Sequence, residues 1–265
     1  MGQETRAGEL CTMQAHPSAH EDKNVEVNYN VLYDFLNQYP GFIELYNKIY
    51  QSNHIINNEI SYQSCTYALP SIDKVYLVIS TLRPNVTLKS FAHELGHAYQ
   101  EKLSYDKKSS DIRILEEFLS MLMEFNFVDY YHVFNDKDAR KMTKNTLALY
   151  REVFKIGYAQ LKLLKMHKDA FVNMFLDDKY KDELNKLCNT KLKFNRNQLY
   201  LQSYFICFML SLTFFYQLKY GIDFNEIEKF FIENNKEHNI QTLLNYIDIS
   251  SIEEFIREST KEKQK

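Results

Sequence analysis

Six glycines and four prolines are all the strong backbone punctuation that 265 residues contain. Gly and Pro mark most turns and loops. With so few of them, and with little strict alternation of apolar and polar residues, this chain is committed to long helices. The expected fold class is therefore mainly α. Hydrophobic residues make up 45% of the chain and charged residues 25%, the balance of a globular protein with a sizeable core. A net charge of −3 implies no general attraction to nucleic acid or to an anionic membrane. The cysteines, Cys11, Cys65, Cys188 and Cys207, are far apart and form no C-x-x-C pair. That pattern is neither a disulfide framework nor a cysteine zinc site, and it suits a reducing compartment. Residues 1–25 lack the apolar core of a signal peptide, so a cytoplasmic location is expected. The longest apolar stretch, "YFICFMLSLTFFY" from Tyr204 to Tyr216, is too short to span a bilayer and reads as a buried core helix.

Residues 1–27 are polar and aperiodic, and read as a mobile tail ahead of one domain over 28–265. Val31 to Tyr50 reads as helix with a break at Pro40-Gly41. Tyr62–Leu69 and Lys74–Ser80 are rich in Tyr, Val and Ile, with "PSID" between them; they read as two strands joined by a short turn. Helices follow near 87–103, 111–134, 137–167, 169–188, 197–220, 224–235, 239–246 and 251–262. "SYDKKSSD" (104–111) is the clearest loop before 190.

"FAHELGHAYQ", residues 91–100, places His93, Glu94 and His97 in H-E-x-x-H order. Each helical residue advances about 100°, so His93 and His97 lie about 40° apart and one turn removed. Their imidazoles can converge on one ion at about 2.0–2.1 Å. Glu94 stands about 100° from His93 and about 60° from His97. It flanks the pair, poorly placed as a ligand but able to take a proton from water activated at a metal. Thr87 or Asn85 is the expected cap of this helix. Gly96 costs about 1 kcal/mol in a helix interior; its expected use is to let another backbone pack closely beside the histidines.

A chance cluster on an exposed face would not come with a third ligand, which catalytic zinc requires. "DIRILEEFLSMLMEFNFVDYY" (111–131) is apolar around most of its circumference and should be buried. A buried helix seldom carries acids without reason. Glu117 and Glu124 share one face, with Ser120 between them, whereas Glu116 turns toward water. The loop at 104–111 is long enough to bring this helix back against the first. Glu117 is thus the expected third ligand of one Zn²⁺, and Glu124 the group that orients a ligand histidine.

These residues resemble the oligoendopeptidase F and thimet oligopeptidase group of zinc metallopeptidases. "NVTLKSFAHELGHAYQ" is similar to its HE-x-GH-A helix. "EEFLSMLMEF" is similar to the following stretch, through Glu117, Ser120, Met121, Met123 and Glu124. "SCTYALPSIDKVYLVIS" (64–80) resembles the segment that leads into the active helix. The likeness runs from about 64 to 128 and continues more weakly to about 256. It implies a multi-helix zincin-like catalytic domain, with a small two-stranded β element before the active helix, that hydrolyses peptide substrates. It also implies that Tyr204, in "YLQSY", and with it Tyr200, donates to the oxyanion of the transition state. The family carries a histidine shortly before those tyrosines; "KLKFNRNQLY" has none, leaving Asn195 or Arg196 as substitute donors. Family chains have a further N-terminal half that forms the opposite wall of the substrate channel, and only the catalytic half is matched here. Two alternatives follow: a peptide-binding protein of this fold that no longer hydrolyses, and a half-enzyme whose cleft a second chain completes. If Lys74–Ser80 is an edge strand, a peptide can pair with its backbone.

Overall fold

The computed structural model describes residues 28–69, 74–104, 114–135, 137–143, 196–235, 242, 243, 245–248, 250 and 251. The expected tail at 1–27, the turn at 70–73, most of the loop at 104–111, the helix near 169–188 and most of those near 137–167 and 251–262 lie outside these residues. So does part of the helix near 239–246. The described fold is mainly helical, with a small sheet, as the sequence leads one to expect. Its chain divides into two compact units, one of residues 1–110 and 119–144, the other of 111–118 and 145–265.

The first unit opens with α1 (Tyr29–Leu36), whose Asn28 cap accepts from the Asn30 N–H at 3.1 Å. Tyr39 is extended, as the residue before a proline must be, and α2 (Pro40–Gln51) starts on Pro40 at its first turn. Val31, Leu32, Phe35 and Leu36 from α1 and Phe42, Leu45, Tyr46 and Ile49 from α2 are buried. Asn53, in the left-handed region at φ 56°, turns the chain out of α2. It leads into β1 (Ile55–Asn58), which is followed by β2 (Cys65–Leu69) and β3 (Lys74–Ser80).

The sheet order is β1-β3-β2, with β1 parallel and β2 antiparallel to β3. Thus the sheet has three strands rather than two, and Lys74–Ser80 is central rather than an edge. Its neighbours lie on both sides, β2 along Lys74 to Val78 and β1 along Leu77 to Ser80. β1 escaped the sequence reading because "IINN" alternates nothing; its partner lies twenty-odd residues away, and parallel pairing leaves no local signature. After the sheet comes α3 (Pro84–Leu103), which begins on a proline with Arg83 as its N-cap and no side-chain cap bond. Thr87 does not cap it. Its hydroxyl lies 2.9 Å from the carbonyl oxygens of both Ser80 and Arg83, tying the helix to the end of β3. Leu88, Phe91, Ala92, Leu95, Ala98 and Tyr99 bury its faces.

Residues 114–117 form a turn, and α4 spans Phe118–Tyr131. Of the helix expected from 111, residues 114–117 are therefore turn, and α4 begins at Phe118. Helix α4 is buried from Phe118 to Phe125 and again at Phe127 and Val128. In the second unit, α5 (Arg196–Lys219) carries the long apolar stretch, and Phe205 to Leu210 are wholly buried. It stops at Gly221, whose φ of 96° ends the helix in the left-handed conformation. The next helix, α6 (Phe224–Asn234), is capped by Asp223, which accepts from the Asn225 N–H at 2.9 Å. Phe118 packs edge-on against Phe214 and Phe230 at 5.4 Å each. Among the described residues, no helix is long and apolar enough to cross a membrane.

Candidate metal centre

Helix α3 presents His93 and His97 on one stripe, their ring centroids 5.0 Å apart and their planes 80° to each other. Glu117, 3% exposed, ends the turn before α4. One ligand atom from each of His93, His97 and Glu117 lies within 4.8 Å of the others, so the three can hold a metal ion. Corners of a triangle of that size stand about 2.8 Å or less from its centre, and modest side-chain rotation closes them to the usual zinc distance. Two imidazoles and one carboxylate make the donor set of many catalytic zinc sites, with one position left open.

Two backbone contacts fix the start of α4 on α3. A Cβ on Gly96 would come within 2.8 Å of Ser120 N and Leu119 O, and closer still to Ser120 Cα. Only a residue without a side chain allows that approach. One turn further along α3, the Gln100 side-chain oxygen accepts from the N–H groups of Leu119 and Ser120 at 2.7 and 3.3 Å. It satisfies donors that the first turn of a helix otherwise leaves unpaired. Within the second unit, Cys207 Sγ donates to Ile114 O at 2.9 Å and Ser211 Oγ to Phe118 O at 2.7 Å. These bonds, one helical turn apart on α5, bracket the turn that carries Glu117. Glu116 is half-buried rather than turned to water.

Glu124 is buried on α4, and its Oε2 lies 3.0 Å from His93 Nδ1. With Nδ1 engaged as donor to a carboxylate, His93 offers Nε2 to a metal. The other oxygen, Oε1, lies 2.7 Å from Lys89 Nζ. Burial by itself would raise the Glu124 carboxyl. The Lys89 charge, and the hydrogen bond from His93, overcome that and hold it well below the usual carboxylate range. Glu94, 7% exposed, does not join the ligand set. Thr66 Oγ1, on β2, lies 2.8 Å from Glu94 Oε2 and 2.8 Å from its backbone oxygen. A hydroxyl from the sheet thus fixes the carboxylate beside the histidine pair.

Tyr204 is half-buried on α5, between buried Ser203 and Phe205. Tyr200 lies one turn earlier on the same helix, and its side chain is outside the described residues, as is Asn195. Arg196 is the first residue of α5. Sequence reasoning missed Lys89, Thr66 and Gln100. The signal for Lys89 was present: it stands four residues before His93 on the same helix, hence on the same stripe. Thr66 and Gln100 act across the tertiary structure and had none.

No protein-family model and no curated protein matches the sequence. Among solved structures, the chain is similar to a PZ peptidase A bound to an inhibitor, with a TM-score of 0.54 and 12% sequence identity. The similarity covers 88% of this chain and 48% of that one. At that identity the likeness is one of fold. The chain spans about half the length of the peptidase it matches.

Proposed function

We propose that this chain is a zinc-dependent metallopeptidase, of the oligoendopeptidase F and thimet oligopeptidase type, that hydrolyses peptide bonds. The observation that carries the reading is the convergence of His93, His97 and Glu117, with Glu94 held beside them. The fold likeness to a peptidase supports it. Zinc at this centre supplies a Lewis acid for the scissile carbonyl and a lowered pKa for water. Glu94 takes the proton of the attacking water and passes it to the leaving amine. Thr66 keeps its carboxylate aimed. Tyr204, with Tyr200, donates a phenol hydrogen bond to the oxyanion. Because Thr66 ties β2 to Glu94, a peptide drawn out along β2 passes beside the base.

The test pairs zinc analysis with turnover of a quenched-peptide library, wild type beside Glu94→Gln. Both proteins should bind one zinc per chain. The variant should lose about 10²- to 10⁴-fold in rate, the usual worth of a general base. Equal inertness with zinc bound one to one would turn the reading to a peptide-binding protein. The 48% span of the matched peptidase favours one further reading, in which another segment or chain forms the opposite wall of the substrate channel. Cleavage that begins only when a second chain is added would select it.

A further inference from the structure

Lys89 is 8% exposed, a rare state for a lysine, whose charge is costly to bury without a partner. Its partner is Glu124, and the same carboxylate is the partner of His93: Nζ to Oε1 is 2.7 Å, and Oε2 to Nδ1 is 3.0 Å. Resting on the metallopeptidase reading above, we propose that Lys89 is a positioning residue of the metal centre. It anchors Glu124 by one oxygen so that the other fixes the His93 ring with Nε2 facing the ion.

Three observations carry this. First, Lys89, His93 and His97 follow one another at intervals of four on α3, so cation, first ligand and second ligand form a single row. Second, a carboxylate on the end of a glutamate has three torsions and would not by itself hold one orientation. The short contact to an ammonium pins one oxygen and so limits where the other can accept. Third, Lys89 and Glu124 are both buried, 8% and 4% exposed, so water does not loosen the contact that holds the carboxylate. A buried lysine that served packing alone would have no need to share its carboxylate with a metal-facing histidine.

The experiment measures zinc affinity of the full chain by competition with a chromophoric chelator. It compares wild type with Lys89→Met, Lys89→Arg, Glu124→Gln and the double variant Lys89→Met/Glu124→Gln. Outer partners of metal ligands are typically worth about 10- to 100-fold in metal affinity. Lys89→Met should weaken zinc by that factor, and Lys89→Arg should recover part of it. The double variant should bind no more weakly than Glu124→Gln, since both act through one carboxylate. A purely structural Lys89 would lower the melting temperature of the metal-free protein and leave zinc affinity of the folded protein unchanged; that result overturns the inference. If Lys89→Met does not fold, the comparison passes to Lys89→Arg and the double variant, neither of which leaves a buried carboxylate at 124 without its cation. A double variant far weaker than Glu124→Gln would also overturn it, because Lys89 would then act elsewhere. Wild type that binds no zinc sinks the metallopeptidase reading itself, whereas normal zinc binding by both wild type and Lys89→Met sinks this inference alone.

Discussion

Single residues decide how closely the two histidines and the glutamate can approach. Gly96 is the clearest case, since its missing side chain is occupied by the backbone of Leu119 and Ser120. Gly96→Ala would gain about 1 kcal/mol in helix propensity. It must also push backbone aside, and overpacking of that kind costs about 1–3 kcal/mol. The variant should therefore be less stable to urea than wild type, and zinc should bind it more weakly, because the displaced backbone is two residues from Glu117. A variant that is more stable would show that α3 and α4 can separate freely here. Phe42 and Tyr99 illustrate the same economy at Gly41: the rings stack at 4.1 Å, and a Cβ on Gly41 would meet the Tyr99 ring.

Elements matter through where they begin. The apolar run from 111 onward suggests one helix carrying both Glu117 and Glu124, yet the helix starts at Phe118 and Glu117 sits in the turn before it. A turn offers a carboxylate directions that a helix face does not. What holds the turn is α5, through Cys207 and Ser211. Burial pushes the Cys207 thiol well above its ordinary range, so little thiolate forms. In a native protein treated with iodoacetamide and mapped by mass spectrometry, the Cys207 peptide should stay unmodified to well above pH 9 and react once denaturant is added. Modification of the native chain near neutral pH would mean that the 114–118 turn opens.

For the molecule as a whole, stability should depend on pH on the alkaline side. Burial pushes the Tyr39 phenol up to about 12, and the charge of Asp129 adds to the rise. In the unfolded chain a tyrosine ionises near 10. The folded state therefore keeps a proton that the unfolded state has lost between those values, and stability falls as pH rises from about 10 to about 12. The loss should be about 2–3 kcal/mol from this group, and Tyr39→Phe should flatten that part of a urea-midpoint profile. An unchanged slope in the variant would place the alkaline loss elsewhere, for example at half-buried Tyr131, whose pKa is also raised by burial and by Asp138.

Local sequence determined the helical class, the H-E-x-x-H stripe of α3, the closing up of backbone at Gly96, and β3 from Lys74 to Ser80. Each follows from periodicity or from the shape of one residue, and such signals are complete within a few turns of chain. Glu117 was legible too, because an acid in an apolar run demands a reason. Tertiary structure alone decided the rest. It made Lys74–Ser80 a central strand by pairing it with β1, replaced a side-chain cap on α3 with Arg83, and began α4 at Phe118. It also brought Lys89 to Glu124, Thr66 to Glu94 and Gln100 to the first turn of α4. Those are hydrogen bonds between groups 19 to 35 residues apart. A donor in the sequence says only that a partner must exist; which acceptor stands opposite is settled when the elements pack.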